Sequence, residues 1–494
     1  MNPIALTATW VASATGGVVV SGNPWTAFDG VSIDTRTLKA GDLFFAIRGE
    51  RFDGAQFAAL AIEAGAAGVV VPRGWYALVK PFATAEGATS EGATSGSAAS
   101  EAVAQPFRAA VIEVADTTAA LQALAHAIRR ESGTKVVAIT GSAGKTTTKE
   151  VTGELLATRY RVVRNRGNLN NHIGLPLSLM ELRERPEIAV VEFGMSHAGE
   201  ISTLVRIAEP DLRVWTNVGE AHLGFFESVG AIADAKAEIF EGALPVHVLV
   251  ANADDPLIAA RLDRFRGRVV TFGIEQAADV RATAVVDRGV DGMRARVTTP
   301  RGEAEIATPL VGRANLANVL AAAAVAIEFG VPLTEIAAKA ATLQPASHRG
   351  EVVRLAGGVT VIDDSYNANP TATRRALDVL AASPAPRRVA VLGEMLELGD
   401  RAPSLHAEIG RAVAHARIDV LYTVGGPPAR AMSDAATAAG MPPANVRFFA
   451  TSDEAAEATA ALVGDGDLVL VKGSRGVRTD RVVERLKAER AERG

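Results

Sequence analysis

A glycine-rich turn followed by a lysine and three threonines is the stretch where the sequence most plainly could bind phosphate. In VVAITGSAGKTTTKE, residues 136–150, an apolar run predicts a strand, and a helix is expected to begin near Lys145. Gly141 and Gly144 would then expose backbone N–H groups to a phosphate at the helix N-terminus. Lys145 would reach the β- and γ-phosphates, and the Thr146 hydroxyl would ligate Mg²⁺.

This stretch matches only part of the standard phosphate-loop pattern. That pattern has a glycine five residues before Gly144, where Ile139 stands, so the match is to the shorter GxxGK[ST]. The alternative is a strand-to-helix turn, with the strand ending near Thr140, that uses glycine for its geometry alone. The candidate nucleotide-binding residues are Gly141, Ser142, Ala143, Gly144, Lys145, Thr146 and Thr147.

Polar residues near the ends of later apolar runs strengthen the phosphate-binding interpretation. Glu192 ends IAVVEFG, where a strand buried on both faces would ordinarily carry an aliphatic residue. His222 follows the next strand, in VWTNVGEAH, and Lys236 lies in the helical stretch AIADAKAEIF. Ligands of open α/β sheets bind beyond the carboxyl ends of strands, where these residues would collect with Lys145. Taken singly, Glu192 could lie at the rim of the sheet, His222 could cap a helix and Lys236 could lie on a solvated helix face. Taken together, the three residues favour a binding site.

Short apolar runs alternate with helical stretches along most of the chain, which predicts βαβ units and mainly parallel sheets. Residues 280–308 alternate instead with the strand period, which predicts an antiparallel patch at the edge of one domain. The predicted fold class is α/β with three domains: a small N-terminal α/β domain (1–114), a central P-loop ATPase domain (115–344) and a Rossmann-like C-terminal domain (345–494).

A low-complexity segment interrupts the first predicted domain near residues 85–105. It repeats EGATS, and EGATSEGATSGSAAS contains no large apolar side chain. Such a segment cannot bury enough surface to offset the entropy of ordering it, so we expect a disordered surface loop. The run AAVIEVAD that follows is expected to add one more strand to the same domain.

Composition excludes several classes of protein. The 494 residues carry 51 basic and 56 acidic side chains, so no excess of positive charge points to nucleic acid as a partner. The absence of cysteine excludes disulfides and thiolate metal sites. No apolar run approaches the ~20 residues of a membrane span. We expect a cytoplasmic monomer that is not inserted into a membrane.

Ten short motifs, in order, resemble those of the Mur ligase family of ATP-dependent peptidoglycan-precursor ligases. They are TGSAGKTTT, NRGNLNNHIGLPLSL, VVEFGMSHAGEI, TNVGEAHL, AKAEIF, GRANLANVLAA, SHRGEVV, DDSYNANP, GEMLELG and VKGSRG. The resemblance covers nearly the whole chain. DDSYNANP, GEMLELG and KGSRG resemble most closely the member that joins UDP-N-acetylmuramoyl-tripeptide to D-alanyl-D-alanine, which implies these substrates.

The resemblance implies a reaction and a set of catalytic roles. A substrate carboxylate would attack the γ-phosphate of ATP, and an amine would displace phosphate from the resulting acyl phosphate. By motif, Lys145 contacts the phosphates, Thr146 with Glu192 holds one Mg²⁺, and His222 with Lys236 serves a second. Lys236 would be carbamylated on its ε-nitrogen, which turns a cation into the oxygen ligand that Mg²⁺ prefers.

The resemblance also implies binding roles in the second half of the chain. Asn315 and Asn318 resemble the asparagines that contact adenine, although Asn315 could instead cap a helix. Arg349 suits bidentate phosphate contact, and Asp364 with Ser365 would close on the nucleotide. The implied substrate contacts are Asn168, Asn367, Asn369, Lys472, Ser474 and Arg475.

Two of these groups have structural alternatives. The asparagines before Pro370 would bond backbone in a turn just as well, and VKGSRG could be a solvated loop.

In the first domain, SIDTRTLKAGDLFFAIRGERFDG resembles the family's uridine-nucleotide module. The resemblance places Ser32, Asp34, Thr35 and Arg36 near the UDP moiety. The family often has histidine where Ala55 stands in this chain.

Three other functions compete with this interpretation. A sister ligase that adds a diamino acid would carry an Asp-Asn-Pro-Arg stretch, which the sequence lacks. A folate-polyglutamate ligase would share the ATP chemistry but not the UDP-like first domain. A non-catalytic nucleotide-binding switch protein would bind ATP without amine-dependent phosphate release, and would leave the third-domain motifs unexplained.

Overall fold

A computed structural model describes residues 2–49, 52–83, 109–221 and 223–491. The predicted surface loop at 85–105 and the candidate metal ligand His222 lie outside these residues. The chain forms two compact units. The first unit comprises Met1–Val136, Asn165–Ala189 and Thr203–Glu209, and the second comprises Val137–Arg164, Val190–Ser202 and Pro210–Gly494.

The N-terminal part of the chain is built on a five-stranded sheet with strand order β2-β7-β6-β5-β4 and a separate antiparallel pair, β1 and β3. All neighbours in the larger sheet are parallel except β2 and β7. The strand predicted from AAVIEVAD is β7, which confirms that it belongs to this sheet. The elements are β1 (Leu6–Thr7), α1 (Ala8–Thr15), β2 (Val18–Ser21), β3 (Ala27–Phe28), β4 (Val31–Ser32), β5 (Leu43–Phe45), α2 (Ala58–Glu63), β6 (Gly68–Pro72), α3 (Trp75–Ala83) and β7 (Ala110–Val114).

A nine-stranded sheet follows, with strand order β16-β15-β14-β13-β12-β11-β8-β10-β9. Its strands are β8 (Lys135–Thr140), β9 (Val162–Arg164), β10 (Ile188–Glu192), β11 (Leu212–Trp215), β12 (Val248–Asn252), β13 (Arg268–Gly273), β14 (Val280–Asp287), β15 (Met293–Thr299) and β16 (Gly302–Thr308). Strands β8, β11, β12, β13 and β14 run parallel, whereas β14, β15 and β16 pair antiparallel. The antiparallel patch predicted at 280–308 is therefore confirmed.

The helices of this middle region precede, separate and follow these strands along the chain. They are α4 (Thr117–Ser132), α5 (Lys145–Leu156), α6 (Gly174–Leu179), α7 (Glu200–Ala208), α8 (Val229–Ala237), α9 (Pro256–Ala259), α10 (Arg313–Glu328) and α11 (Leu333–Ala340). Residues 136–139 of β8 are fully buried, as expected for a parallel strand covered on both faces. Helix α10 is apolar around most of its circumference, and its residues 318–327 are all buried.

The C-terminal sheet has strand order β17-β18-β22-β19-β20-β21 and is parallel except at β17. Its elements are β17 (Glu351–Arg354), β18 (Thr360–Asp364), α12 (Pro370–Ala382), β19 (Arg388–Gly393), α13 (Ala402–His415), β20 (Val420–Val424), α14 (Pro427–Ala438), β21 (Val446–Phe449), α15 (Ser452–Leu462), β22 (Leu468–Lys472) and α16 (Asp480–Ala491). The four predicted strands are β18, β19, β20 and β22. Because β18, β22 and β19 are neighbours, the loops after them meet at one edge of the sheet.

The exact boundaries at residues 114 and 344 stay predictions. No helix within the described ranges is both long enough and apolar enough to cross a membrane.

Candidate active site

The predicted strand-turn-helix at the phosphate-binding motif is present in the structure. Strand β8 ends at Thr140 and helix α5 begins at Lys145, with Thr147 buried in its first turn. Gly144 caps the helix with φ 79°, a left-handed conformation that favours glycine. The Lys145 Nζ donates to the Gly141 carbonyl over 2.9 Å, so the lysine folds back along the loop.

Substitution of Gly144 should damage this loop. A Cβ there would overlap the Asn318 amide oxygen, whereas a Cβ on Gly133, which has φ 70°, would meet nothing within 4 Å. Each Gly→Ala change should cost about 1–2 kcal/mol of left-handed strain, but only Gly144→Ala adds a clash at the nucleotide loop. We expect Gly144→Ala to lower both the melting temperature and ATP affinity, measured by calorimetry. Equal losses of ATP affinity in Gly133→Ala would contradict this.

Side chains from the next strand fix the shape of the loop. The Asn217 Oδ1 accepts from the Ala143 N–H at 2.9 Å, and the Asn217 Nδ2 donates to the Ala143 carbonyl at 2.8 Å. The Thr216 hydroxyl donates to the same carbonyl, and the Ser142 Oγ accepts from the Gly219 N–H at 2.9 Å. Sequence reasoning did not assign these supports, although the polar pair Thr-Asn directly after an apolar strand was a usable signal. The loop is therefore held in shape by the protein itself.

The structure brings Thr146 and Glu192 together, as the sequence predicts. The Thr146 hydroxyl donates to the Glu192 Oε2 over 2.7 Å, and Glu192, at the end of β10, is only 4% exposed. No group of three or more His, Cys, Asp or Glu residues within the described ranges could hold a metal ion. Mg²⁺ usually keeps several waters and binds substrate phosphates with one or two protein oxygens, so a hydroxyl beside a buried carboxylate fits it.

Two lysines interact electrostatically with this carboxylate, and an arginine acts on one of those lysines. Burial lowers the pKa of Lys236 well below its ordinary value; the charge of Lys145 lowers it further, and Glu192 opposes the shift. Desolvation also lowers the pKa of Lys145. The negative charge of Glu192 opposes this shift, and the positive charge of Arg349 adds to it. Lys236 lies on α8 and is 1% exposed, so the alternative of a solvated face is wrong. A lysine in this setting favours the neutral amine.

The two asparagines assigned to adenine lie beside the loop on α10. The Asn318 Oδ1 accepts from the Thr148 hydroxyl at 3.2 Å, and its Nδ2 donates to the Asn315 Oδ1 at 3.1 Å. The Asn315 Nδ2 donates to the Val311 carbonyl. Gly312 caps this helix, so the alternative of Asn315 as the cap is wrong. Adenine contact by either residue stays a prediction.

A histidine and a buried aspartate organise the segment that carries Arg349. The His348 Nδ1 lies 2.8 Å from the Asp363 Oδ2, and the Ser365 hydroxyl donates to the Asp363 Oδ1 over 2.6 Å. The Gly350 N–H donates to the Asp363 carbonyl. Asp363, which is fully buried, was not singled out from the sequence. It ties the residues on both sides of Arg349 to strand β18.

Three loops meet at the carboxyl edge of the C-terminal sheet. The Lys472 Nζ donates to the Asp364 Oδ2 at 2.6 Å and to the Asn367 carbonyl at 3.0 Å. The Ser474 Oγ accepts from the Leu396 N–H at 3.0 Å. Lys472 is 2% exposed, so the alternative of a solvated loop is wrong for this residue. The structure thus places DDSYNANP, GEMLELG and VKGSRG side by side.

The asparagines of DDSYNANP bond backbone groups. Asn369 caps α12 by accepting from the Ala372 N–H at 2.8 Å, and the Asn367 Oδ1 accepts from the Ala368 N–H. These bonds agree with the turn alternative. Substrate contact by either asparagine stays a prediction.

The candidate UDP contacts lie in the first unit. Arg36 pairs with Asp34 at 2.6 Å, and this guanidinium holds the pKa of Asp34 at about 2. The Ser32 hydroxyl donates to the Asp34 carbonyl at 3.0 Å, with Thr35 next along the chain. Asn168 is an exposed residue of the same unit. The roles of these residues in substrate binding stay predictions.

Comparison with known proteins accounts for this arrangement. Three family models match the chain in order: "Mur ligase family, catalytic domain" at residues 27–129, "Mur ligase middle domain" at 139–326, and "Mur ligase, glutamate ligase domain" at 348–475. The chain belongs to the Mur ligase family. Its three α/β domains are therefore those of a Mur ligase.

Relatives cover nearly the full length of this Mur ligase. The UDP-N-acetylmuramoyl-tripeptide--D-alanyl-D-alanine ligase of Bacillus subtilis is 35% identical over 462 residues, which span 93% of each chain. The enzyme of the same name from Escherichia coli is 34% identical over 463 residues and also spans 93% of each chain.

Solved structures agree with the sequence relatives. A crystal structure of MurF from Acinetobacter baumannii matches with TM-score 0.84 and 31% identity, covering 99% of this chain and 100% of that one. MurF ligase from Thermotoga maritima in complex with ADP matches with TM-score 0.78 and 28% identity, covering 94% and 98%. A folylpolyglutamate synthase of Mycobacterium tuberculosis, at 19% identity and TM-score 0.61, shares the fold over 74% of this Mur ligase.

Proposed function

We propose that this Mur ligase joins UDP-N-acetylmuramoyl-tripeptide to D-alanyl-D-alanine while ATP is cleaved to ADP and phosphate, a step of peptidoglycan precursor synthesis. The observation that carries the chemistry is the meeting of Lys145, Thr146 and Glu192 at the N-terminus of one helix. The relatives in Bacillus subtilis and Escherichia coli, whose names state these substrates, support the choice of acceptor.

The proposed reaction has two steps. An oxygen of the tripeptide carboxylate attacks the γ-phosphorus of ATP, and the bond to ADP breaks with its electron pair on ADP. The amine of D-alanyl-D-alanine then attacks the acyl carbon, loses a proton, and displaces phosphate with the electron pair of the carbon–oxygen bond. Lys145 and the N–H groups of the α5 N-terminus orient the phosphates and stabilise their negative charge. Mg²⁺, bound at Thr146 and Glu192, would screen the repulsion between carboxylate and triphosphate.

We further propose that Lys236 works as a carbamate. A neutral lysine amine can add to CO₂ and lose a proton, which leaves a carboxylate-like group on the side chain. Burial and the charge of Lys145 lower the pKa of Lys236, which is the direction that formation of a carbamate requires. A carbamate would offer Mg²⁺ an oxygen ligand within electrostatic reach of Glu192.

Contacts inside the second unit join the loop after β11 to the C-terminal helices. The Glu220 N–H donates to the Thr371 hydroxyl at 3.4 Å, and Arg374 pairs with Glu220 at 2.9 Å and with Glu408 at 2.6 Å. We infer that these contacts hold the acceptor-binding loops near the nucleotide loop during catalysis. With the acceptor-binding loops held closed over the nucleotide loop, water would be excluded from the acyl phosphate, which it would otherwise hydrolyse.

The acceptor should be a dipeptide, and a free amino acid should be a poor substitute. A dipeptide offers an amide and a carboxylate one residue farther from the nucleophile, and the exposed Asn367 amide can bond such groups. A site built for these groups leaves its polar atoms unpaired when the ligand is shorter, so discrimination of roughly 10⁴-fold is expected. The test is phosphate release with UDP-tripeptide, ATP and Mg²⁺, with D-alanyl-D-alanine compared against D-alanine, lysine and diaminopimelate. Faster turnover with any single amino acid would overturn the proposal.

The same assay, run with UDP-tripeptides that end in meso-diaminopimelate or in lysine, identifies the third residue of the donor. We also propose that the enzyme acts in the cytoplasm as a monomer, and sedimentation at working concentration tests the monomeric state.

A further inference from the structure

The ring of Tyr366 lies against two guanidinium groups that come from different segments of the chain. The Arg349 Cζ is 4.1 Å and the Arg475 Cζ is 5.5 Å from the ring centroid. Arg349 precedes strand β17, Tyr366 follows β18, and Arg475 follows β22. Across the four described ranges, neither guanidinium forms an ion pair with a carboxylate. Two positive charges therefore converge on one aromatic ring without being neutralised.

The backbone fixes the position of this ring. The Tyr366 N–H donates to the His348 carbonyl at 3.1 Å, and both neighbouring segments are tied to the buried Asp363. A guanidinium over an aromatic face is attracted by the ring quadrupole and stacks on its plane. The ring thus anchors both guanidinium groups, which repulsion and side-chain entropy would otherwise leave free to move apart.

Arg349 also acts on the nucleotide loop. Its charge is one of the causes that lower the pKa of Lys145, so the two cations face the same region of the site. Unneutralised cations that converge on one region are suited to an oxyanion. Two oxyanions of the proposed reaction qualify: the phosphoryl group that is transferred and the carboxylate of the acceptor.

We propose that Tyr366 is a positioning residue that holds Arg349 and Arg475 as a pair of guanidinium groups for a substrate oxyanion. This inference rests on the proposed ligase function, which it deepens. The contact uses the face of the ring, so phenylalanine should replace tyrosine and leucine should not.

The experiment compares Tyr366→Phe, Tyr366→Leu and a matched control, Phe448→Leu. The control removes a guanidinium–ring contact of the same 4.1 Å length, that of Arg430 with Phe448, from the same C-terminal sheet. Calorimetry measures the binding of a non-hydrolysable ATP analogue and of ADP, which lacks the γ-phosphate. Kinetics measure kcat and KM for D-alanyl-D-alanine and for its C-terminal amide, and thermal unfolding reports stability.

Tyr366→Phe should behave like the wild type, and Tyr366→Leu should weaken oxyanion binding by roughly tenfold. If the oxyanion is the phosphoryl group, affinity falls for the ATP analogue and not for ADP. If it is the acceptor carboxylate, KM rises for the dipeptide and not for its amide.

Three results would overturn the inference: unchanged affinity and KM in Tyr366→Leu, equal losses in Phe448→Leu, or a Tyr366→Phe variant as impaired as the leucine variant. If the wild type joins no dipeptide, the proposed function fails, and the calorimetric comparison alone decides the role of Tyr366.

Discussion

Replacing Lys145 with alanine lowers turnover by roughly a hundredfold to a thousandfold while leaving the fold intact. The large effect is expected because the lysine charge acts on phosphate oxygens whose charge shifts during transfer, so its contribution is greatest in the transition state. Among the residues that the structure describes, the Lys145 Nζ makes one hydrogen bond, to the Gly141 carbonyl, and the substitution removes this bond alone. The measurement is kcat for phosphate release together with the melting temperature.

Lys487→Ala is the matched control, because it removes a lysine from helix α16 without touching the nucleotide loop. Its turnover should equal that of the wild type. Near-normal turnover in Lys145→Ala would refute the phosphate role, and a large drop in melting temperature would show that the loss of activity is structural.

Lys236→Ala should be nearly inactive, and short-chain carboxylates such as acetate or propionate should restore part of the activity. The substitution removes the buried side chain that would carry the carbamate and leaves space there, in which an added carboxylate can supply an oxygen ligand to Mg²⁺. An unmodified ammonium would instead add a positive charge beside Lys145, which the electrostatics of the site disfavour. Phosphate release measured against carboxylate concentration tests the prediction.

The control for this rescue is Lys145→Ala. This variant loses activity because a positive charge is missing, and a carboxylate cannot replace that charge, so the same carboxylates should leave its activity unchanged. A metal-loaded structure that showed an unmodified Lys236 ammonium with no metal near it would count against the carbamate.

The parts of the site that the sequence predicted are those that depend on local pattern. An apolar run followed by a glycine turn correctly placed the end of β8 and the start of α5. The rule that ligands collect beyond the carboxyl ends of parallel strands correctly brought Glu192 to Thr146. Both inferences need only the period of a strand and the direction in which it runs.

The parts that the sequence missed depend on which strands become neighbours. The Thr-Asn pair marks a polar end of β11, but Asn217 supports the phosphate loop because β11 lies beside β8, and the sequence does not say which strand is the neighbour. Tyr366 meets Arg349 and Arg475 only because β17, β18 and β22 are adjacent in the C-terminal sheet. The edge strands β17 and β21 were not predicted, since they are only partly buried and lack a continuous apolar run.

The central claim is that ATP activates a substrate carboxylate for attack by an amine, and transfer of labelled oxygen tests it most directly. UDP-N-acetylmuramoyl-tripeptide labelled with oxygen-18 in its terminal carboxylate is incubated with ATP, Mg²⁺ and D-alanyl-D-alanine. The masses of the products are then measured by mass spectrometry. We predict that the released phosphate carries one labelled oxygen, because the oxygen that attacks the γ-phosphorus leaves with it. The UDP-linked product should gain the mass of the added dipeptide. Release of unlabelled phosphate, with no gain of mass in the UDP-linked substrate, would contradict the account.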